Sequence, residues 1–84
     1  MTARWRLSPS VSLRPEPFGA LVYDFSTRRL SFLKTRPLLD VVRRLDGETD
    51  TDEALAAAGV PEAERAGYVR ALDGLAATGV LTTA

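Results

Sequence analysis

The 84-residue chain contains no cysteine and no histidine. Without cysteine there is no disulfide, no thiolate nucleophile and no Cys-based zinc or iron–sulfur site; without histidine the commonest general base and metal ligand is missing as well. No run of about 18 apolar residues occurs, so no membrane-spanning helix is expected. The opening Met-Thr-Ala-Arg-Trp-Arg-Leu-Ser-Pro lacks the apolar stretch of a secretory signal, and a cytoplasmic location follows as the expectation. The six glycines never fall into a phosphate-cradling Gly-x-x-x-x-Gly-Lys loop, and the serines have no imidazole to activate them. Glu48, Asp50, Asp52 and Glu53 form no EF-hand-like loop; they sit at a helix entrance, where carboxylates suit the free N–H groups. The chain is therefore read as non-enzymatic, with no catalytic residue, no metal site and no cofactor.

What is present is an ordinary globular composition, 45% hydrophobic and 26% charged, long enough for one core. The zero net charge hides a split: residues 1–45 carry nine basic and three acidic side chains, residues 46–84 eight acidic and two basic. Such a basic half either forms a solvated surface or steers an acidic partner.

Residues 1–10 are polar and aperiodic, and read as a flexible or loosely strapped arm with Trp5 as its anchor. Val11-Ser-Leu-Arg14 alternates as a first strand, with Pro15 and Pro17 expected to stop its pairing. Gly19–Phe25 places Leu21, Tyr23 and Phe25 on one face, and Leu30–Lys34 places Leu30 and Phe32 on one face; Ser26–Arg29 suits the hairpin loop between them. The period then becomes helical. Thr35 is the expected N-cap, Pro37 is tolerated in the first turn, and Leu38, Leu39, Val41, Val42 and Leu45 supply the apolar stripe up to Gly47. Asp50 with Glu53 resembles a capping box for a short helix to Ala58, and Pro61 opens a longer one to about Thr78. Leu55-Ala-Ala-Ala-Gly-Val60 and Leu75-Ala-Ala-Thr-Gly-Val80 read as one Schellman stop used twice, Gly at C′ and Val at C″. The expected fold is α+β: a winged helix-turn-helix-like arrangement of a three-stranded antiparallel sheet followed by three helices, with residues 1–10 as arm and 11–84 as the domain.

That topology raises DNA binding as an alternative function. The helix that would enter a groove carries Glu62, Glu64 and Asp73 against Arg65 and Arg70, so a phosphate backbone would repel it and no nucleic-acid partner is expected. The remaining candidate is an edge. In a three-stranded sheet, Leu30–Lys34 offers backbone N–H and C=O groups to another chain. In one reading its charges only protect it. In the functional reading a peptide adds a strand there, with the long helix as the other wall of the groove. About four main-chain hydrogen bonds at a net ~1 kcal/mol each would be offset largely by ordering the peptide, so side-chain pockets must contribute. The candidate peptide-binding residues are Arg28, Arg29, Leu30, Ser31, Phe32, Leu33, Lys34, Arg65, Tyr68, Val69 and Leu72. Phe32 or Leu33, Tyr68, Val69 and Leu72 are taken as pocket walls, and Arg28, Arg29, Lys34 and Arg65 as the charged rim.

Ser12-Leu-Arg-Pro-Glu-Pro-Phe-Gly-Ala-Leu-Val-Tyr23, with Thr27-Arg-Arg-Leu-Ser-Phe-Leu-Lys34, resembles the mycofactocin peptide chaperone family. Ala56-Ala-Ala-Gly-Val-Pro61 and Tyr68-Val-Arg-Ala-Leu72 extend the likeness over roughly residues 11–81, and Leu45-Asp-Gly-Glu-Thr49 is similar to a turn in PqqD-like proteins. PqqD-like turns usually follow the Thr with an apolar residue; this chain continues Asp50-Thr51-Asp52. The resemblance implies a RiPP recognition element, which binds the leader of a ribosomally made precursor peptide and presents the peptide to a radical S-adenosylmethionine maturase. It also implies that the leader adds beside the strand at 30–34 and against the helix at 61–78. The basic half predicts an acidic leader.

Overall fold

A computed structural model of the chain describes residues 4–83. In order these form β1 (Trp5–Leu7), β2 (Val11–Glu16), β3 (Gly19–Asp24), β4 (Arg29–Leu33), α1 (Arg36–Arg43), α2 (Thr51–Ala57), α3 (Arg65–Ala77) and β5 (Leu81–Thr83). A 3₁₀ turn, Glu62–Glu64, leads into α3. β2, β3 and β4 make an antiparallel sheet in that order, and the three helices follow it, giving the α+β, winged-helix-like arrangement expected. No helix among the described residues is long and apolar enough to cross a membrane.

A second sheet departs from the expectation. β1 pairs antiparallel with β5, Leu7 opposite Leu81 and Trp5 opposite Thr83, so Trp5–Leu7 of the expected arm form a paired strand; residues 1–3 of that arm lie outside the described residues. The strand is held on its other side too, where the Trp5 carbonyl accepts from Gly47 N–H at 3.0 Å and Arg6 bridges to Asp46. The turn that receives it is built by Asp46. Its carboxylate accepts the amides of Thr49 (2.7 Å) and Glu48 (2.9 Å) and the Thr49 hydroxyl (3.1 Å), and these bonds, the Thr49 amide first, hold it below the usual carboxylate range.

β2 also runs further than expected, through Pro15, which sits opposite Ala20. As an edge strand it has no partner within its sheet for the N–H that proline lacks. β4 is shifted one residue back from the expected 30–34, and Arg28 closes the hairpin at φ 60°. Thr35 caps α1 as expected, its Oγ1 accepting from Leu38 N–H at 3.2 Å. Asp50 precedes α2 at the N-cap, but its side chain makes no cap bond and instead pairs with Arg4 at 3.2 Å. The short helix thus opens without the expected capping box.

Both Schellman stops form. Gly59 and Gly79 have φ of 77° and 86°; Val60 N–H reaches Leu55 O at 3.0 Å, and Val80 N–H reaches Leu75 O at 2.9 Å. A Cβ at Gly59 or Gly79 would meet nothing within 4 Å, so replacement by alanine isolates backbone strain from crowding. Gly59→Ala and Gly79→Ala should each cost about 1 kcal/mol and add in the double variant, as read by urea denaturation.

The core lies under the inner face of the three-stranded sheet. Ala20, Val22 and Leu33 meet Leu39, Val41, Val42 and Leu45 from the α1 segment, Ala54 and Leu55 from α2, and Leu72 from α3. Burying each leucine contributes about 1.5–3 kcal/mol. Asp24 is the buried carboxylate of that face. It accepts from Ser26 Oγ (2.7 Å), Ser10 Oγ (2.9 Å) and Ser26 N–H (3.0 Å), and the Ser26 and Ser10 hydroxyls hold its pKa below the usual carboxylate range against its burial.

Candidate peptide-binding groove

The residue alternation of β3 and β4 decides what each side chain does. Ala20, Val22 and Asp24 point inward, so Leu21 and Tyr23 point outward; in β4, Leu33 is buried while Leu30 and Phe32 stand on the outer face, each more than half exposed. Phe32 lies opposite Leu21, and Leu30 opposite Tyr23. β4 is the last strand of its sheet, and its second edge pairs with no strand among the described residues.

Beyond Leu33 the chain passes through Lys34 to Thr35, and Thr35 lines a cavity of about 520 Å³. Its walls are Thr35 and Leu38 on one side and Ala63, Glu64, Ala66, Gly67, Tyr68, Arg70 and Ala71 on the other. The opening is a consequence of small side chains: Ala63, Gly67 and Ala71 recur every four residues, and Ala66 flanks them, so the face of α3 and its 3₁₀ lead-in has no bulk. Glu64, Tyr68 and Arg70 are the larger side chains lining that wall. The free edge of β4 thus leads directly toward an apolar-lined groove between the start of α1 and α3.

The expected site residues divide on this geometry. Arg28, Arg29, Leu30, Phe32 and Lys34 are exposed along the hairpin and Ser31 is half-buried, all on or beside the free edge. Tyr68 lines the cavity. Leu33 and Leu72 are fully buried, so their side chains belong to the core and form no pocket wall. Val69 is half-buried against the same core. Arg65 points its Nε to the Val60 carbonyl at 3.3 Å and does not line the cavity; Arg70 stands there instead. Sequence reasoning passed over Leu38 and the small residues of α3, although the four-residue recurrence of Ala63, Gly67 and Ala71 was visible.

Comparison with known proteins places the chain among named relatives. The chain is 53% identical over 77 residues to the peptide chaperone MftB of Mycobacterium ulcerans (strain Agy99), covering 92% of this chain and 71% of that protein. It is 49% identical to the proteins of the same name from Mycolicibacterium smegmatis (strain ATCC 700084 / mc(2)155) and Mycobacterium tuberculosis (strain ATCC 25618 / H37Rv), of which it covers 76% and 71%. No solved structure gives a significant match. The model of the peptide chaperone MftB family matches residues 4–82, β1 and most of β5 included, and the chain belongs to that family.

Proposed function

We propose that the protein is a non-catalytic chaperone that binds the leader of a mycofactocin precursor peptide as an added strand on β4 and presents the peptide to a radical S-adenosylmethionine maturase. The observation that carries this reading is the unpartnered edge of β4 beside the groove between α1 and α3. Of the two edges of the sheet, β2 contains Pro15 and is followed by Pro17, which remove donors and resist pairing, whereas β4 has no proline. An extended peptide on β4 makes main-chain bonds to the edge and lowers alternate side chains toward the groove. The apolar walls and volume of the groove suit a bulky apolar side chain of the leader, and Arg28, Arg29 and Lys34 suit acids in it.

NMR titration with the leader tests the placement: shifts are expected on residues 28–35, Leu38 and the 63–71 face, and shifts centred on β2 or β5 would reject it. The electrostatic part has its own measurement. Leader affinity should fall as salt rises from 50 to 500 mM, through screening of exposed charges whose pairs lie within about 10 Å at low salt. Affinity indifferent to salt would remove the preference for an acidic leader while leaving strand addition intact.

A further inference from the structure

The outer face of the three-stranded sheet has no role in the core and little in the groove. The large hydrophobic side chains exposed among the described residues, Phe18, Tyr23, Phe25, Leu30 and Phe32, all lie on it or on the turns at its two ends. They cluster: the Phe18 and Phe32 rings lie 6.2 Å apart, and those of Tyr23 and Phe25 6.4 Å apart. Contiguous apolar surface of this kind on a small domain marks an interaction site. Its frame is basic. Arg28 and Lys34 border it with no ion pair among the described residues, Arg29 falling in the inner-face register opposite Asp24, and the acid on this face, Glu16, is already matched by Arg14 at 3.6 Å.

Charge selects the occupant. Two copies meeting face to face about a two-fold axis would set one cationic frame against the other. A single-stranded nucleic acid would need flat, free ring faces to stack on; here the rings tilt against each other at 58° and 41°. We infer that the outer sheet face, centred on Tyr23 and Phe25, is a docking surface for a folded protein presenting an apolar patch framed by aspartate and glutamate. A leader strand added to β4 extends the same sheet, and its alternate side chains join this face. A partner seated there therefore touches chaperone and peptide together, as presentation of a substrate requires. Naming the maturase as that partner rests on the function proposed above.

The test uses the purified maturase and the leader as separate probes of wild-type protein and of a Tyr23→Ser/Phe25→Ser double variant, both side chains being exposed and outside the core. The expected result is maturase affinity lowered about ten-fold or more, as for loss of aromatic anchors, with leader affinity within two-fold and an unchanged melting temperature. Unchanged maturase affinity in the folded variant overturns the docking face and leaves leader binding standing. Loss of leader binding in the folded variant also overturns it, because the face then belongs to the peptide site. Failure of the wild-type protein to bind the maturase overturns it together with the presentation step proposed above. Two further outcomes overturn it: a wild-type dimer in sedimentation that the variant abolishes, and tight binding of oligothymidylate that the variant abolishes.

Discussion

Gly19→Ala is expected to remove at least about 2–3 kcal/mol of folding stability and to weaken leader binding in whatever remains folded. Gly19 opens β3 at the point where the chain leaving β4 crosses it. A Cβ there would overlap the carbonyl oxygen of Leu33 and approach the backbone N and O of Thr35 to 3.0 Å. All three obstacles are main-chain atoms, so no rotamer change relieves them. The strand end must shift, and it carries both the Leu33 side chain of the core and Thr35, which caps α1 and lines the groove. One methyl group therefore disturbs sheet, helix start and site together. Gly74→Ala provides the opposite sign: a Cβ in that part of α3 meets nothing within 4 Å, and helix propensity favours alanine by about 1 kcal/mol. Urea denaturation of both variants, with a leader titration of Gly19→Ala, checks the pair. Wild-type stability in Gly19→Ala would mean that β3 and the β4–α1 junction do not approach this closely.

The second large effect concerns the peptide. N-methylation of single leader amides should lower affinity about ten-fold or more at every second residue of the docked stretch and change it little at the residues between. Each sensitive methyl deletes a bond worth a net ~1 kcal/mol and pushes bulk into the β4 edge. A period of two follows from the pleat; a helix lying in the groove would instead depend on side chains spaced three and four apart. Isothermal titration with a methyl-scanned peptide set distinguishes them, and a flat profile would reject strand addition. This is a cleaner probe than proline at Leu33, because that side chain is fully buried and its replacement damages the core. Phe32→Asp serves on the protein side. Phe32 is 53% exposed and faces outward beside the added strand, so its loss should weaken leader binding more than alanine at Arg28 or Arg29, whose exposed charges contribute little individually.

Signals confined to a few consecutive residues were legible in the sequence. Thr35 three residues before Leu38, the two Leu-to-Val spans closed by glycine, and the polar run between two apolar strands each determine local backbone through bonds within five positions. The family resemblance rested on similar ground, on segments such as Arg14-Pro-Glu-Pro-Phe-Gly19 that can be read along the chain. The capping expectation at Asp50 shows the limit. Its carboxylate had the right local chemistry, but Arg4, distant in sequence, holds it at 3.2 Å.

By itself, then, the sequence determined the approximate extents of β2 to β4 and of the three helices, which half is basic, and that a free strand edge was the feature to examine. Only the tertiary structure decided which face of the sheet is buried, because alternation defines two faces and here Ala20 and Val22 of β3 pack inward while the larger Leu21 and Tyr23 do not. It also decided that β1 closes on β5, a pairing between opposite ends of the chain, and that small residues of α3 leave a groove against Leu38. Face, partner strand and cavity depend on what distant elements bring to the same place, and no window of neighbouring residues contains that information.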